Sequence, residues 1–334
     1  MEKSFNTYKV KIKNEPFQTD EGDHYTHTAE ITFFDSNNNE IDYIEKGYLD
    51  KEHIYKKIDN GEEIILNHCY IVNLSLSEYR KKRNLPPDSA IKIKGFSAYK
   101  AIFDSSEVTD LSFADFGDTY KNFEGAGFIN GKVNFHGSNF RKGGINFAYA
   151  IIKSGDFDHA NIDSGELNMK NTYFGNGFKN FQNSYFGQVK VLFLNAEFNN
   201  GDVSFIDTQF NKGMISFKVA RFGEGKIDFH FAKFGTCDLS FERTDFGNGK
   251  LDFRTTEFNE SKVNFNRATF GTGEKSFEAC QLINGKISFK KTDWGDGDIS
   301  FELAEFFNTT LLMDSSVFGK GELSFYNASI KDLS

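Results

Sequence analysis

Phenylalanine recurs at every twelfth position through the second half of this sequence. This first ladder consists of Met169, Phe181, Phe193, Phe205, Phe217, Phe229, Phe241, Phe253, Phe265, Phe277, Phe289, Phe301, Met313 and Phe325. A second ladder lies five residues further along and consists of Phe174, Phe186, Phe198, Phe210, Phe222, Phe234, Phe246, Phe258, Phe270, Leu282, Trp294, Phe306, Phe318 and Ile330. A fixed period indicates a repeat architecture, in which each unit buries its apolar face against its neighbours.

The residues around each rung repeat as well. An aliphatic residue such as Val203 usually lies two positions before a rung of the first ladder. A small residue such as Ala220 or Ala232 lies two positions before a rung of the second. Side chains two residues apart lie on one face of a strand, and the glycine content argues against helices. From about Ala98 onward the pattern therefore predicts a β-solenoid with Phe side chains inside.

A glycine-rich corner recurs at twice the ladder period. Most of these corners read Gly-x-Gly: Gly175 and Gly177, Asn199 and Gly201, Gly223 and Gly225, Gly247 and Gly249, Gly271 and Gly273, Gly295 and Gly297, Gly319 and Gly321. The turns between them are irregular, so the pattern predicts a 24-residue coil with four short faces. About nine such coils would form a rod on the order of 45 Å long. The glycine pairs predict backbone with positive φ at these corners.

These features resemble the pentapeptide-repeat family. The small residue two positions before an apolar one, as in Ala220-x-Phe222, is typical of it, and a plain five-residue spacing is kept by Phe147, Ile152, Phe157 and Ile162. The resemblance covers the chain from about Ala98 to its last residues. It implies a mainly β fold, a right-handed four-sided parallel β-helix. The sequence departs from the family where its spacing alternates between five and seven residues.

The chain before the ladders has a different composition, since only four of the forty Phe residues lie before residue 91. We expect a small α+β domain over residues 1–90, joined through Pro86 and Pro87 to a β-helix over residues 91–334. The local patterns predict four elements: a hairpin over 28–44, a helix over 51–60 capped by Asp50 and stopped by Gly61, a strand over 62–74, and a short basic helix over 77–85.

Two features of the N-terminal region raise the question of a site. His24 and His27 have a spacing that metal ligands can use, but no third ligand follows at a recognisable distance, so we interpret them as loop residues. The basic run Tyr79–Arg83 would suit an acidic partner, although a solvated helix face is the favoured interpretation.

The solenoid offers few chemical candidates. His230 is predicted to point outward and Cys280 inward, and neither has a partner that the spacing can name. Phe231 is either a surface hot spot or an ordinary exposed aromatic, the second being favoured. The Gly-x-Gly corners have neither the following helix of a phosphate loop nor the acidic residues of a calcium repeat. No catalytic, cofactor-binding or metal-binding residue is predicted, and the chain is not expected to be an enzyme.

The amino-acid composition limits the cellular compartment and the classes of partner that we expect. The cysteines Cys69, Cys237 and Cys280 are scattered, and no signal peptide or membrane-spanning apolar run is visible, so we expect a soluble protein in the reducing cytoplasm. The net charge is −9 with both signs dispersed, which leaves no footprint for direct binding to nucleic acid or to an anionic membrane.

The leading hypothesis for function is a non-enzymatic interaction or scaffold protein with a protein partner, because repeat surfaces suit that role. The resemblance implies an alternative, since some members of the family imitate DNA and bind type II topoisomerases. Mixed charges along one predicted edge argue against it: Asp202, Lys226, Lys250, Glu274, Asp298 and Glu322. A second alternative is an effector whose activity resides in residues 1–90, around His24, His27, His53 and His68.

The repeat continues almost to the last residue of the sequence, with Leu323, Phe325, Ala328 and Ile330 in register. An uncovered coil exposes strand edges and the end of an apolar core. We therefore expect a homodimer in which two chains meet through their C-terminal coils around a two-fold axis. The alternative is a monomer, in which Lys331 and Asp332 make this end tolerable to water.

Overall fold

The structure is a computed structural model and describes residues 5–332. It is mainly β, with 44% strand and 5% helix, and forms a parallel β-solenoid with about 24 residues per turn. Within the described residues, the helices have nine and seven residues, and neither is long and apolar enough to cross a membrane. The mainly β class and the coil length predicted from the corners are both confirmed.

The N-terminal region contains seven strands and both helices. In chain order they are β1 (Thr7–Lys13), β2 (Phe17–Gln18), β3 (His24–Tyr25), β4 (Thr28–Phe34), β5 (Glu40–Leu49), α1 (Lys51–Asp59), β6 (Ile64–Ile65), β7 (Cys69–Val72) and α2 (Leu76–Lys82).

The following strands are short and pair in parallel with the equivalent strands of neighbouring coils. Those up to the middle of the array are β8 (Ile91–Lys92), β9 (Phe96–Ser97), β10 (Ile102–Asp110), β11 (Ala114–Asp115), β12 (Lys121–Asn122), β13 (Gly127–Asn134), β14 (Asn139–Arg141), β15 (Ile145–Asn146), β16 (Ile151–Ile152), β17 (Gly155–Asp156), β18 (Asn161–Asn168), β19 (Tyr173–Phe174), β20 (Lys179–Asn180), β21 (Tyr185–Leu192), β22 (Val203–Ser204) and β23 (Gln209–Ser216). The remainder are β24 (Ile227–Asp228), β25 (Lys233–Ser240), β26 (Leu251–Asp252), β27 (Glu257–Asn259), β28 (Lys262–Asn264), β29 (Lys275–Ser276), β30 (Gln281–Ile283), β31 (Lys286–Ser288), β32 (Ile299–Ser300), β33 (Glu305–Phe307), β34 (Thr310–Leu312), β35 (Leu323–Ser324) and β36 (Ser329–Lys331).

The register between coils gives the repeat directly. Phe210 pairs with Phe234 and Ile227 with Leu251, so each partner lies one full turn further along the chain. Each coil through the middle of the array has four pairing positions: one in the first large sheet, two in the second, and one single-residue bridge such as that between Arg221 and Asp245. Because every strand is bonded to coils on both sides, the backbone polar groups of these faces are satisfied without any sequence-local partner.

Stacked aromatic rings fill the interior. Along the first ladder, rings one turn apart are nearly parallel, as for Phe193 and Phe217, whose centroids are 4.7 Å apart at 7°. Rings half a turn apart face each other across the core edge to face, as for Phe217 and Phe229 at 6.1 Å and 90°. The two arrangements are those that aromatic quadrupoles favour, and the ring spacing matches the spacing of the strands.

The sharp corners lie where the sequence did not predict them. The residue two positions after each first-ladder rung has a left-handed backbone, as at Val219 and Phe231, with φ of 60° and 59°. The next residue closes the turn, since the Ala220 N–H donates to the carbonyl of Phe217 at 2.9 Å. Left-handed backbone is costly for residues other than glycine, so the stacked coils must impose it here.

At the Gly-x-Gly corners, glycine is required mainly because successive coils pack closely, and less often because the backbone has a positive φ. Positive φ occurs there only at Asn199, Gly247 and Gly295, in every second coil. At Gly249, by contrast, an added Cβ would lie 1.9 Å from the carbonyl oxygen of Gly225 in the previous coil. The predicted positive φ is therefore wrong for most of these corners, and close packing of successive backbones explains the glycines.

The N-terminal predictions are largely confirmed. β4 and β5 form the hairpin, and Asp50 caps α1 by accepting a bond from the Glu52 N–H at 2.7 Å. Gly61 follows α1 with φ of 62°, as its role as a stop predicts. α2 lies close to the predicted basic helix, although it begins at Leu76 after a Ser75 cap.

The single strand predicted over residues 62–74 is wrong. The chain forms β6 and β7 in different sheets, separated by a tight turn in which the Cys69 N–H donates to the carbonyl of Leu66. This is already a solenoid corner, because Ile64, Leu66, Cys69 and Ile71 repeat the spacing of the later units and are buried.

The solenoid consequently begins before residue 91. β6 pairs with β9 and β7 with β10, so the sheets run across the predicted boundary at residue 90. One continuous core extends from Tyr25 to Phe306. The array has about twelve turns rather than the nine expected, because the first coils use Ile and Leu where later ones use Phe.

A second, smaller core covers the outside of the first coils. The antiparallel sheet of β1, β4 and β5 packs Ile31 and Phe33 against Tyr70 and Ile102, whose side chains point away from the solenoid interior. Within this core the hydroxyls of Tyr8 and Tyr70 both donate to Asp104, at 2.7 and 2.5 Å. The N-terminal sheet is thus attached to the side of the rod.

Candidate functional site

Three side chains with metal-ligating atoms converge on the solenoid surface: His136, Asp158 and His159. The Nδ1 atom of His136 lies 3.1 Å from Oδ2 of Asp158, and the Nδ1 atom of His159 lies 2.9 Å from the same oxygen. The side chain of Asp158 is 19% exposed and that of His159 58%, so the cluster is open to solvent on one side. We call these three residues the His–Asp–His cluster.

The coil geometry brings the cluster together. His136 and Asp158 each follow an inward Phe directly, so their side chains point outward at the same place on successive coils. The backbone confirms the stacking, because the Gly137 N–H donates to the carbonyl of Asp158 at 2.8 Å. His159 occupies the left-handed corner position, with φ of 56°.

Residues outside the cluster fix its orientation. The ring of Phe113 lies edge to face against His136, with centroids 5.2 Å apart. Gly137 makes room for that ring, since an added Cβ would lie 2.6 Å from it. On the other side, the amide of Asn183 donates to Oδ1 of Asp158 at 2.9 Å. Two of the three ligating side chains are therefore held by neighbours that do not themselves ligate.

This cluster was not predicted from the sequence. The separation of His136 and Asp158 in the chain matches no metal-binding motif, and it becomes meaningful only once the local coil length is known. The one available signal was that each residue directly follows a core Phe, which places both on an outward position.

The N-terminal histidines do not gather in one place. His68 is buried, with Nδ1 2.9 Å from Asp23 and Nε2 3.8 Å from Glu21. His24 and His53 are exposed. The Nδ1 atom of His27 forms a hydrogen bond with the hydroxyl of the neighbouring Thr26. Among the described residues, the four histidines considered from the sequence thus form no common polar cleft, and only His68 belongs to a cluster of ligating groups.

The basic run Tyr79–Arg83 is neither a free docking patch nor a wholly solvated face. Arg80 is buried, and its guanidinium donates to the carbonyl and hydroxyl of Ser112 at 2.8 Å each. Lys82 and Arg83 form ion pairs with carboxylates of α1. The run therefore ties α2 to α1 and to the first coils.

The solenoid candidates lie where the ladders placed them. Phe231 is 47% exposed and its ring stacks on His230 at 4.0 Å. Cys280 is buried in the core, as predicted, and burial raises the pKa of its thiol to about 12. A thiol with such a pKa is a poor nucleophile, which matches a structural role.

Lysines replace the inward aliphatic residue at three positions. Lys121, Lys179 and Lys275 are almost completely buried, and burial lowers the pKa of each to about 8. Their ammonium groups donate to backbone carbonyls at the corners, as Lys179 does to Phe198 at 2.6 Å. These lysines were not recognisable from the sequence as buried residues, because a lysine at the aliphatic position resembles an interruption of the repeat.

The faces of the solenoid carry ion pairs between successive coils. Each joins equivalent positions one turn apart, at 2.7 to 3.1 Å: Glu166 with Lys190, Lys218 with Glu242, Lys233 with Glu257, Lys250 with Glu274, and Lys290 with Asp314. Cavities on these surfaces are open clefts, such as one of about 550 Å³ beside α1 that includes Asp115 and Arg141. Those two side chains bond to each other, with Arg141 Nη2 2.6 Å from Asp115 Oδ2.

The outermost described coil exposes its apolar side chains. Phe318 is 43% exposed, Leu323 43%, Tyr326 69% and Ile330 46%. One side of this coil packs on the previous one, where Phe325 stacks on Phe301 at 5.0 Å.

A scan of the sequence against models of known protein families finds no match. No curated protein matches it significantly either.

Proposed function

We propose that this protein is a non-enzymatic interaction or scaffold protein of the cytoplasm, whose solenoid presents a rigid surface to a protein partner. The observation that carries the proposal is the core, which stacked rings fill from one coil to the next. Such an interior leaves binding to the outer surface. Free, buried thiols at all three cysteines fit a reducing compartment.

The charge pattern favours a protein partner over imitation of DNA. A DNA mimic needs like charges in columns, whereas the ion pairs between coils place opposite charges next to each other along the stacking direction. Lys250 and Glu274, for example, lie 2.9 Å apart on the edge where a phosphate-like column would run. These pairs are largely exposed, so each contributes little to stability. Together they leave positive and negative charges intermixed on the faces of the solenoid.

One edge of the solenoid is our candidate for the partner surface. At its left-handed corners Phe231 and Leu303 are 47% and 50% exposed. Asn adopts this backbone at lower cost, and it does occupy the equivalent corners Asn183 and Asn327. Large apolar residues where Asn would be easier and more soluble are best explained by contact with a partner. We call this the Phe231 edge.

Photo-crosslinking tests the function. Benzoylphenylalanine in place of Phe231 should give a discrete protein adduct in the source cells. The matched control carries the same group in place of Arg243, which is exposed at a left-handed corner half a coil away. A Phe231→Asn and Leu303→Asn double variant should keep the melting temperature and lose the partner. Absence of an adduct at Phe231, or equal adducts at both positions, would contradict the Phe231 edge.

We further propose that two chains meet through the coil that contains Phe318 and Phe325. A two-fold axis would set the exposed strand β36 of one copy antiparallel to that of the other and extend the ring stacks across the interface. Sedimentation equilibrium at micromolar concentration should give a dimer, and Phe325→Asp with Ile330→Lys should give a folded monomer. A monomeric wild-type protein, or a dimer that survives both changes, would remove this interface.

A further inference from the structure

We propose that the His–Asp–His cluster binds one divalent transition metal ion of the Zn²⁺ type through Nδ1 of His136, Oδ2 of Asp158 and Nδ1 of His159. Water would complete the coordination on the solvent side. The site goes beyond the proposed interaction function, because it assigns a ligand chemistry to residues other than Phe231 and Leu303.

The distances fit a shared ion. Ligand atoms about 2.1 Å from one tetrahedral metal ion lie about 3.4 Å apart. The observed separations from Asp158 Oδ2 are 3.1 Å to His136 and 2.9 Å to His159, and all three ligand atoms lie within 4.8 Å of one another. An ion could therefore take the place of the Nδ1 protons, with each neutral ring carrying its proton on Nε2, after side-chain rotations that widen these separations by about 0.3–0.5 Å.

The donor set selects the class of ion. Two imidazole nitrogens and one carboxylate suit Zn²⁺, Co²⁺, Ni²⁺ and Fe²⁺, whereas Ca²⁺ and Mg²⁺ prefer oxygen alone. Three protein ligands with open positions resemble exposed rather than closed structural metal sites. The second candidate, around His68, offers one imidazole and two carboxylates, and its Glu21 atom is farther away at 3.8 Å.

Neighbouring side chains hold the ligand side chains in position before an ion binds. Phe113 orients the His136 ring, and Asn183 occupies the Asp158 oxygen that faces away from the histidines. Outer contacts of this kind reduce the ordering that binding requires and raise affinity. Gly137 leaves room for the Phe113 ring, because an added Cβ would lie 2.6 Å from it.

The ion would connect two successive coils, because His136 belongs to one coil and Asp158 and His159 to the next. Since these ligands are brought together only by the folded solenoid, binding should stabilise the fold in proportion to ion concentration.

The test uses the full chain without an affinity tag, dialysed against chelator. Calorimetric titration with Zn²⁺ should give one ion per chain, and Co²⁺ should give visible absorption bands of a nitrogen- and oxygen-ligated site. The melting temperature should rise with Zn²⁺ concentration. His159→Ala and Asp158→Asn should each weaken binding at least about tenfold, while circular dichroism shows an unchanged fold.

Two controls separate the cluster from other histidines. His230→Ala removes a surface histidine that belongs to neither cluster, and Glu21→Gln removes an exposed ligand from the His68 cluster. Both should leave the Zn²⁺ isotherm unchanged. Absence of binding by the wild-type chain would overturn the proposal, as would wild-type affinity in the His159→Ala variant or loss of binding in Glu21→Gln.

Discussion

The outermost coil and the coil before it use the same sequence pattern and differ in burial. Equivalent positions, one turn apart, compare as follows: Trp294 is 0% exposed and Phe318 43%, Ile299 is 4% and Leu323 43%, Phe306 is 2% and Ile330 46%. The apolar ladder thus determines which side chains point inward, while a neighbouring coil on each side determines whether they are buried. Stability in such an array belongs to the interfaces between coils.

The largest effect is expected in the middle of the array. Phe241 is fully buried, with Phe217 at 5.0 Å on one side and Phe265 at 4.8 Å on the other. Phe241→Ala should lower the free energy of unfolding by about 3–5 kcal/mol, because it leaves a cavity in a packed column. Chemical denaturation measures it, with Ser240→Ala as the outward control at less than about 0.5 kcal/mol. Equal losses in both variants would refute the inward assignment.

The next effect tests the close approach between coils. Gly249→Ala places a Cβ against the carbonyl of Gly225 and should cost about 1–3 kcal/mol through backbone displacement. Gly95→Ala is the matched control, since its added Cβ would meet only the flexible Glu63 side chain at 3.4 Å. If the two variants melted at the same temperature, glycine at these corners would have to be explained otherwise.

The same aromatic truncation at the outermost coil should cost less. Phe325 has a ring contact on one side, with Phe301, and is only half-buried. Phe325→Ala should therefore cost about 1–2 kcal/mol in dilute solution, where partial burial is lost. If a second copy covers this coil, the cost should grow with protein concentration. A loss as large as that of Phe241→Ala in dilute monomer would erase the distinction between the two coils.

A separate effect, on the pH dependence of stability, concerns the buried lysines inside the array. Lys179 and Lys275 have pKa values lowered to about 8 in the folded chain, against 10.5 when exposed. Their contribution to stability is therefore fully present above pH 10.5 and is lost as pH falls from there through 8. The wild type should gain stability relative to Lys179→Met with Lys275→Met as pH rises through this range. Parallel pH profiles from chemical denaturation would show that these ammonium groups are solvated.

Prediction from the sequence succeeded where equivalent positions of successive coils lie in the same environment. Phe229 and Phe241 have the same surroundings in every coil, so the ladder and the glycine corners gave the coil length. It failed at Ile64 and Leu66, because aliphatic residues keep the repeat spacing there without the Phe that marks it in later coils. The left-handed corners were missed for a related reason, since residues as different as Val219 and Phe231 occupy them.

The candidate site was less predictable than the fold. His136 and Asp158 are far apart in the chain, and their separation carries no meaning until the coils are stacked. The contacts of Phe113 and Asn183 with the cluster also join different coils. The outward positions of these side chains were therefore predictable from the sequence, whereas the residues that they contact were not.

By itself the sequence determined the architecture, because a period of apolar residues and glycines restricts a chain to one way of burying them all. The tertiary structure decided where the solenoid begins, which corners take left-handed backbone, and which outward side chains meet. Those features depend on register between coils, and register is set by the sum of many stacked contacts rather than by any local segment. A slightly shorter coil, which leaves the ladder recognisable, is enough to bring His136 beside Asp158.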